Sequence, residues 1–208
     1  MENQKKDRRI IRTQTALRQA RDEVIKEKGY GAVTIEDITT RANLGRTTFY
    51  LHYQDKEDLY LEGFEEYLDG VVEEFNKHPL IFWFRDRKGN LLLSVFKTIK
   101  ENSKIFTHLT SDPSTKVYER FKRIIKNTAW KLINENAWAQ KKVNTIPTPI
   151  DLVIEYFSGA MWSSVVWWSG NDFEPSADEM AVIFRRMFFP GLLRVLNVRK
   201  MHDLIENM

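Results

Sequence analysis

The stretch VTIEDITTRANLGRTTFYLHYQDKEDL, residues 33–59, decides how the whole chain reads. Thr34 is a good N-cap, and Asp37 three residues on completes a capping-box variant. Ile35, Ile38 and Ala42 then form the buried edge of a short helix. Asn43-Leu44-Gly45 makes a tight turn, because Asn tolerates positive φ better than other non-glycine residues. A second short helix follows over residues 46–53. At about 100° per residue, Phe49 and Tyr53 fall on one side of it, with Thr47, Tyr50 and Leu51 roughly opposite. One side packs, and the other is left to meet something. Asp55 caps the next helix, residues 56–77, where Leu59, Phe64, Leu68, Val71 and Phe75 keep helical spacing until Pro79 ends it.

Working outward, a longer helix over residues 8–28 precedes the pair, with Ile10, Leu17, Ala20 and Val24 as its apolar stripe and Gly29 as its C-cap. Two short helices joined by a three-residue turn, behind a longer supporting helix, form a helix-turn-helix whose second short helix is sized for a major groove. Charge agrees. Residues 1–52 hold eleven Lys and Arg against seven Asp and Glu, a net +4, while the remaining 156 residues hold 21 against 22, a net −1. A basic amino-terminal quarter favours a phosphate-bearing partner. Lys56 opposes the macrodipole at the first turn of its helix, where an acid is preferred. A broken local rule of this kind suits a backbone phosphate, with a solvated lysine as the plainer alternative. Thr47, Thr48 and Tyr50 offer hydroxyls to phosphates or base edges, Leu51 an apolar contact for a thymine methyl, and Arg46 a fork for guanine.

The run from Val33 through Arg41-Ala42-Asn43-Leu44 to Phe49-Tyr50-Leu51-His52-Tyr53-Gln54-Asp55-Lys56-Glu57-Asp58-Leu59 resembles the DNA-binding signature of the tetracycline-repressor (TetR) family. The resemblance implies that Thr34, Arg46, Thr47, Thr48, Tyr50, His52 and Lys56 lie at the DNA. Two positions depart from the pattern: Gly45 stands where a capping Ser is usual, and Thr47 where a small residue is common. The implied fold is all-α, a three-helix helix-turn-helix domain over residues 1–54 and a helical effector-binding and dimerisation domain over 55–208. The implied partners are double-stranded DNA carrying an inverted repeat, a second copy of the chain, and an unidentified small-molecule effector. The expected activity is sequence-specific repression of transcription; a sequence-independent architectural DNA-binding protein is the alternative.

The carboxy-terminal half reads as helices throughout. They are expected over residues 91–109, over 113–138 with Asp112 as cap and Pro113 as first residue, over 148–169, and over 176–197 with a Ser176–Glu179 capping box. Residues 80–90 and the Lys141–Pro147 stretch read as connections. The helix ending near Ser169 is apolar around most of its circumference, so it is buried on two sides. Family resemblance places the dimer interface on the last two long helices, at Phe157, Ala160, Val165, Trp168, Phe184, Phe188 and Leu192. All six Trp, including Trp83, follow the first domain. Tyr118, Trp130, Tyr156 and Trp162 are the candidates for an effector pocket, with plain core packing as the alternative for each.

Composition excludes a good deal. No cysteine is present, which rules out disulfides, thiolate nucleophiles and zinc-thiolate sites. The four His are scattered without a His-x-x-x-His pair, and no phosphate-binding or nucleophile-elbow motif occurs, so neither catalytic residues, metal ligands nor a cofactor are expected. Residues 156–171 carry no charge, yet they are too short and too Ser-rich for a span of roughly 20 apolar residues. No signal-peptide pattern opens the chain, so a cytoplasmic location and no membrane partner are expected.

Overall fold

A computed structural model describes residues 2–77, 91–111 and 115–197, apart from the side chains of residues 2–7, 75, 76 and 115. Trp83, Pro79, the connection over 80–90, Asp112 and Pro113 lie outside the described residues, as does the side chain of Phe75. The described elements are all helical, and the chain divides into two compact units, Met1–Phe64 and Glu65–Met208. The division falls inside the fourth helix, because Leu59 in its first turn is wholly buried in the first unit's core.

In the first unit, α1 spans Glu2–Lys28 and stops where Gly29 turns to φ +75°, its N–H reaching the carbonyl of Ile25 at 2.9 Å. A single 3-10 turn, Tyr30–Ala32, leads into α2, Ile35–Arg41. The capping box forms: Thr34 Oγ1 accepts from the Asp37 N–H at 3.1 Å, and Asp37 accepts from the Thr34 N–H at 3.0 Å. Asn43 sits at φ 53°, and the Leu44 N–H closes the turn on the Thr39 carbonyl at 2.9 Å. Helix α3 is Arg46–Tyr50, shorter than the expected run to Tyr53; the chain finishes in a turn whose Tyr53 N–H still bonds the Phe49 carbonyl at 2.9 Å. Then α4, Lys56–Asn76, begins on two side-chain caps, Asp55 accepting from the Asp58 N–H at 2.7 Å and Asp58 from the Gln54 N–H at 2.9 Å. Leu17, Ala20, Val24, Ile38, Phe49, Tyr53 and Leu59 make the core. Ile10, expected in the α1 stripe, is 36% exposed because no element of the unit's core cluster reaches that far along the helix.

The second unit contains α5 Leu91–Glu101, α6 Ser103–Ser111, α7 Thr115–Asn134, α8 Ala137–Val143, α9 Ile150–Gly170 and α10 Ala177–Val195. Two of the long helices expected from sequence are each broken in two by an asparagine. Asn102 turns its side chain onto the Thr98 carbonyl at 2.8 Å and offers its own carbonyl to the Ile105 and Phe106 N–H groups, separating α5 from α6. Asn136 caps α8, its Oδ1 accepting from the Ala139 N–H at 2.9 Å, so Lys141, Lys142 and Val143 close a helix where a linker was expected. The Ser176–Glu179 capping box opens α10, which continues through Pro190. Helix α5 packs against α10, while α9 packs against α6 and α7. Phe96, Phe106, Phe121, Val165 and Trp168 are wholly buried between them. Among the described residues, no helix is long and apolar enough to cross a membrane.

Candidate nucleic-acid interface

The first unit presents a two-sided α3. Phe49 has no exposed surface and Tyr53 only 3%, whereas Tyr50 is 52% and Leu51 76% exposed. Arg46 and Thr47 share the open side, Thr48 is half-buried, and among the described residues the Arg46 guanidinium has no hydrogen-bonding or ionic partner. Gly45, in extended backbone at φ −76°, precedes the helix without a side-chain cap. The buried side is braced in turn. The Tyr53 hydroxyl donates to Glu62 on α4, and Gln14 and Arg18 of α1 reach the same carboxylate at 3.2 and 3.7 Å. His52 is half-buried beside the Tyr53 ring, 6.3 Å between centroids.

Two of the sequence candidates are also structural. Lys56 Nζ donates to the carbonyls of Val33 at 3.0 Å and Tyr30 at 3.2 Å, and it stands 4.8 Å from the centre of the Tyr30 ring. Lys56 therefore ties the start of α4 to the turn that enters α2. Thr34, exposed, is the α2 cap, and its hydroxyl also donates to Asp37 Oδ2 at 2.8 Å. The Lys28 ammonium lies 2.5 Å from Asp37, and together with the Thr34 donors it holds the Asp37 carboxyl down from 3.8 to about 2. A depressed folded value gives stability that is present above the ordinary carboxylate range and lost as the pH falls toward 2. Acid titration of the chain should show this directly: the Asp37→Asn variant loses the part of the acid-induced destabilisation lying between pH 3.8 and about 2. Identical acid slopes for the two proteins would exclude the assignment. Arg41 adds a cross-link from α2 to α1, bonding Glu23 at 2.9 Å and Glu27 at 2.7 Å.

Residues 17–62 match the family model described as bacterial regulatory proteins, tetR family, and residues 89–189 match one described as a transcriptional regulator C-terminal region. The chain belongs to the TetR family. Among curated relatives, the uncharacterized HTH-type transcriptional regulator YxbF of Bacillus subtilis is 50% identical over 54 residues, 26% of this chain and 14% of that protein. The biofilm operon icaADBC negative transcriptional regulator IcaR of Staphylococcus epidermidis is 24% identical over 99 residues, 43% of this chain and 49% of that protein. The matched stretches are thus half or less of those relatives' own lengths. The crystal structure of Thermus thermophilus FadR, a TetR-family repressor in complex with lauroyl-CoA, aligns with a TM-score of 0.59 at 16% identity, covering 90% of this chain and 96% of that one. That likeness is one of fold.

The TetR-family second unit holds a cavity of about 200 Å³ bounded by the ends of α5, α7 and α10, by α8 and by the start of α9. None of Tyr118, Trp130, Tyr156 and Trp162 is among its described lining residues. Trp162 is buried against Phe121 and Tyr118, 5.1 and 6.0 Å between ring centres, and Tyr156 is 69% exposed. Leu132, Ile133, Trp138, Phe157, Phe189 and Lys142 are walls that sequence reading missed. The one available signal was Asn136 as an N-cap, which would have put Trp138 and Lys142 on a helix of their own. The expected interface residues differ in exposure. Val165 and Trp168 have no exposed surface and Phe184 only 3%, although Phe184 lines an apolar groove together with Ala160 and Phe188. Phe188 is 9% exposed, and Phe157, Ala160 and Leu192 are half-buried, with Phe157, Phe188 and Leu192 lining the cavity. Among the exposed apolar side chains are their neighbours, Tyr156 and Trp167 on α9 and Ile183 and Met187 on α10, which flank this groove of about 480 Å³.

Proposed function

We propose that this TetR-family chain is a homodimeric, sequence-specific repressor that sets α3 of each protomer in successive major grooves of an inverted-repeat operator. The carrying observation is the open side of α3, where Arg46, Thr47, Tyr50 and Leu51 stand exposed over the buried pair Phe49 and Tyr53. In this reading Arg46 forks onto a guanine, Leu51 meets a thymine methyl, and Thr34, Thr47, Thr48, Tyr50 and His52 lie at the phosphates or base edges. Lys56 spends two of its three N–H donors on carbonyls, which leaves the third for a phosphate. Repression is supported by the name of IcaR as a negative regulator, and dimerisation by the uncovered apolar stripe of Tyr156, Trp167, Ile183 and Met187. A small molecule in the second unit is supported by its apolar cavity and by the lauroyl-CoA in complex with Thermus thermophilus FadR. Such an effector acts by changing the fraction of dimers whose two α3 helices keep the spacing of about one helical turn of DNA.

Selection of bound duplexes from a random pool, with the purified protein at physiological salt, tests the reading. An inverted repeat is the expected product; recovery of no consensus, with affinity collapsing as salt rises, favours the architectural alternative. Once an operator is known, Arg46→Ala should cost about 1–3 kcal/mol and relax specificity at a single base pair. Lys56→Met should weaken binding to every sequence alike and lower the salt slope by about one ion. Equal losses from both substitutions across all sequences would refute this division of roles.

A further inference from the structure

We infer that the cavity of the second unit takes a compact carboxylic acid, one short hydrocarbon or aryl body with a single carboxylate, and that Lys142 reads the acid. The inference rests on the reading of this unit as the effector-binding part. Size sets the body. An engineered apolar cavity of about 150 Å³ holds benzene, and sites for drug-sized ligands run from about 300 to 1,000 Å³. At about 200 Å³, this space suits a single ring or a medium-length chain as the lodged body.

Chemistry sets the head. Every described residue lining the cavity is apolar except Lys142, whose stem forms part of the α8 wall. Lys142 is half-buried, and among the described residues its ammonium has neither an ion pair nor a hydrogen bond. The other partly buried lysines among the unit's described residues are engaged: Lys122 and Lys126 on Glu155, Lys131 on Asp69 and Glu73, and Lys100 on the Phe173 carbonyl. The lined surface itself is wholly apolar, so the ammonium stands beyond it at the open mouth, where it matches an anion carried on an apolar body. Such a charge-assisted pair is stronger than a neutral hydrogen bond.

The test is calorimetric titration of the full-length protein, without DNA, using octanoate, 3-phenylpropionate, octan-1-ol and octylamine. At least one acid should bind, about tenfold more tightly than the isosteric alcohol, with the amine weakest. Octanoate against 3-phenylpropionate separates a chain from an aryl body. Lys142→Met should retain alcohol binding and lose the preference for the acid, and Ala129→Leu, which fills the cavity from α7, should abolish both. Absence of acid binding to the wild-type protein overturns the inference, as does an acid preference that survives Lys142→Met. Because no DNA is present, failure to recover an operator elsewhere leaves this result intact.

Discussion

Phe49→Ala is expected to unfold the first unit near physiological temperature and to abolish operator binding. Phe49 has no exposed surface and packs among Leu17, Ala20, Val24, Ile38 and Leu59, with the Tyr50 and Tyr53 rings each 5.6 Å away. Deleting a buried Phe side chain costs about 3–5 kcal/mol through lost transfer energy and the cavity left behind. The unit ends at Phe64, and a domain of that size has a total stability of only about 3–10 kcal/mol. The substitution therefore removes most of what holds the helix-turn-helix together. Leu51→Ala, two residues on at a 76% exposed position, supplies the contrast: stability within about 0.5 kcal/mol of wild type, with weaker operator binding. Thermal unfolding followed by circular dichroism, with DNA titration of each variant, checks both. A Phe49→Ala protein with an unchanged midpoint would sink the core assignment.

Trp168→Ala should be the most damaging single change in the second unit. The ring is wholly buried, 5.5 Å from Phe96 and 5.2 Å from Phe173, and its indole N–H donates to the Pro175 carbonyl at 2.6 Å. Truncation costs about 3–5 kcal/mol in packing, with about 1–3 kcal/mol more if the carbonyl is left unsatisfied. Trp168→Phe recovers most of the packing and none of the hydrogen bond. Trp167→Ala, at a 55% exposed ring one residue earlier, should leave the midpoint nearly unchanged and weaken self-association instead. Thermal unfolding together with sedimentation of both variants separates the roles, and the reverse pattern would return Trp168 to the interface.

Sequence and tertiary structure contributed different parts of this picture. The helix-turn-helix was legible because its signals are local. Thr34 with Asp37, Asn43 at positive φ, Gly29 past α1 and Asp55 before α4 each act through hydrogen bonds or backbone geometry within a few residues. The two-sidedness of α3 follows equally from helical spacing, which separates Phe49 from Tyr50 and Leu51. In the second unit, two asparagines defeated the same method. Asn102 and Asn136 lie inside stretches of good helix formers, and their side-chain bonds to the backbone redirect the chain.

What the sequence determined by itself was an all-helical chain with a DNA-reading module at its amino terminus, since caps, turns and periodicity are properties of neighbouring residues. Only the tertiary structure decided which apolar face goes where. Helix α9 is apolar nearly all round, so its periodicity cannot tell Trp168, which α5 covers through Phe96, from Trp167, whose ring is left 55% exposed. Nor can periodicity reveal a space bordered by five helices, or that Lys142 stands at its wall without a partner among the described residues while other lysines find acids. Burial and pairing at such points depend on residues dozens of positions away, brought together only when the helices pack.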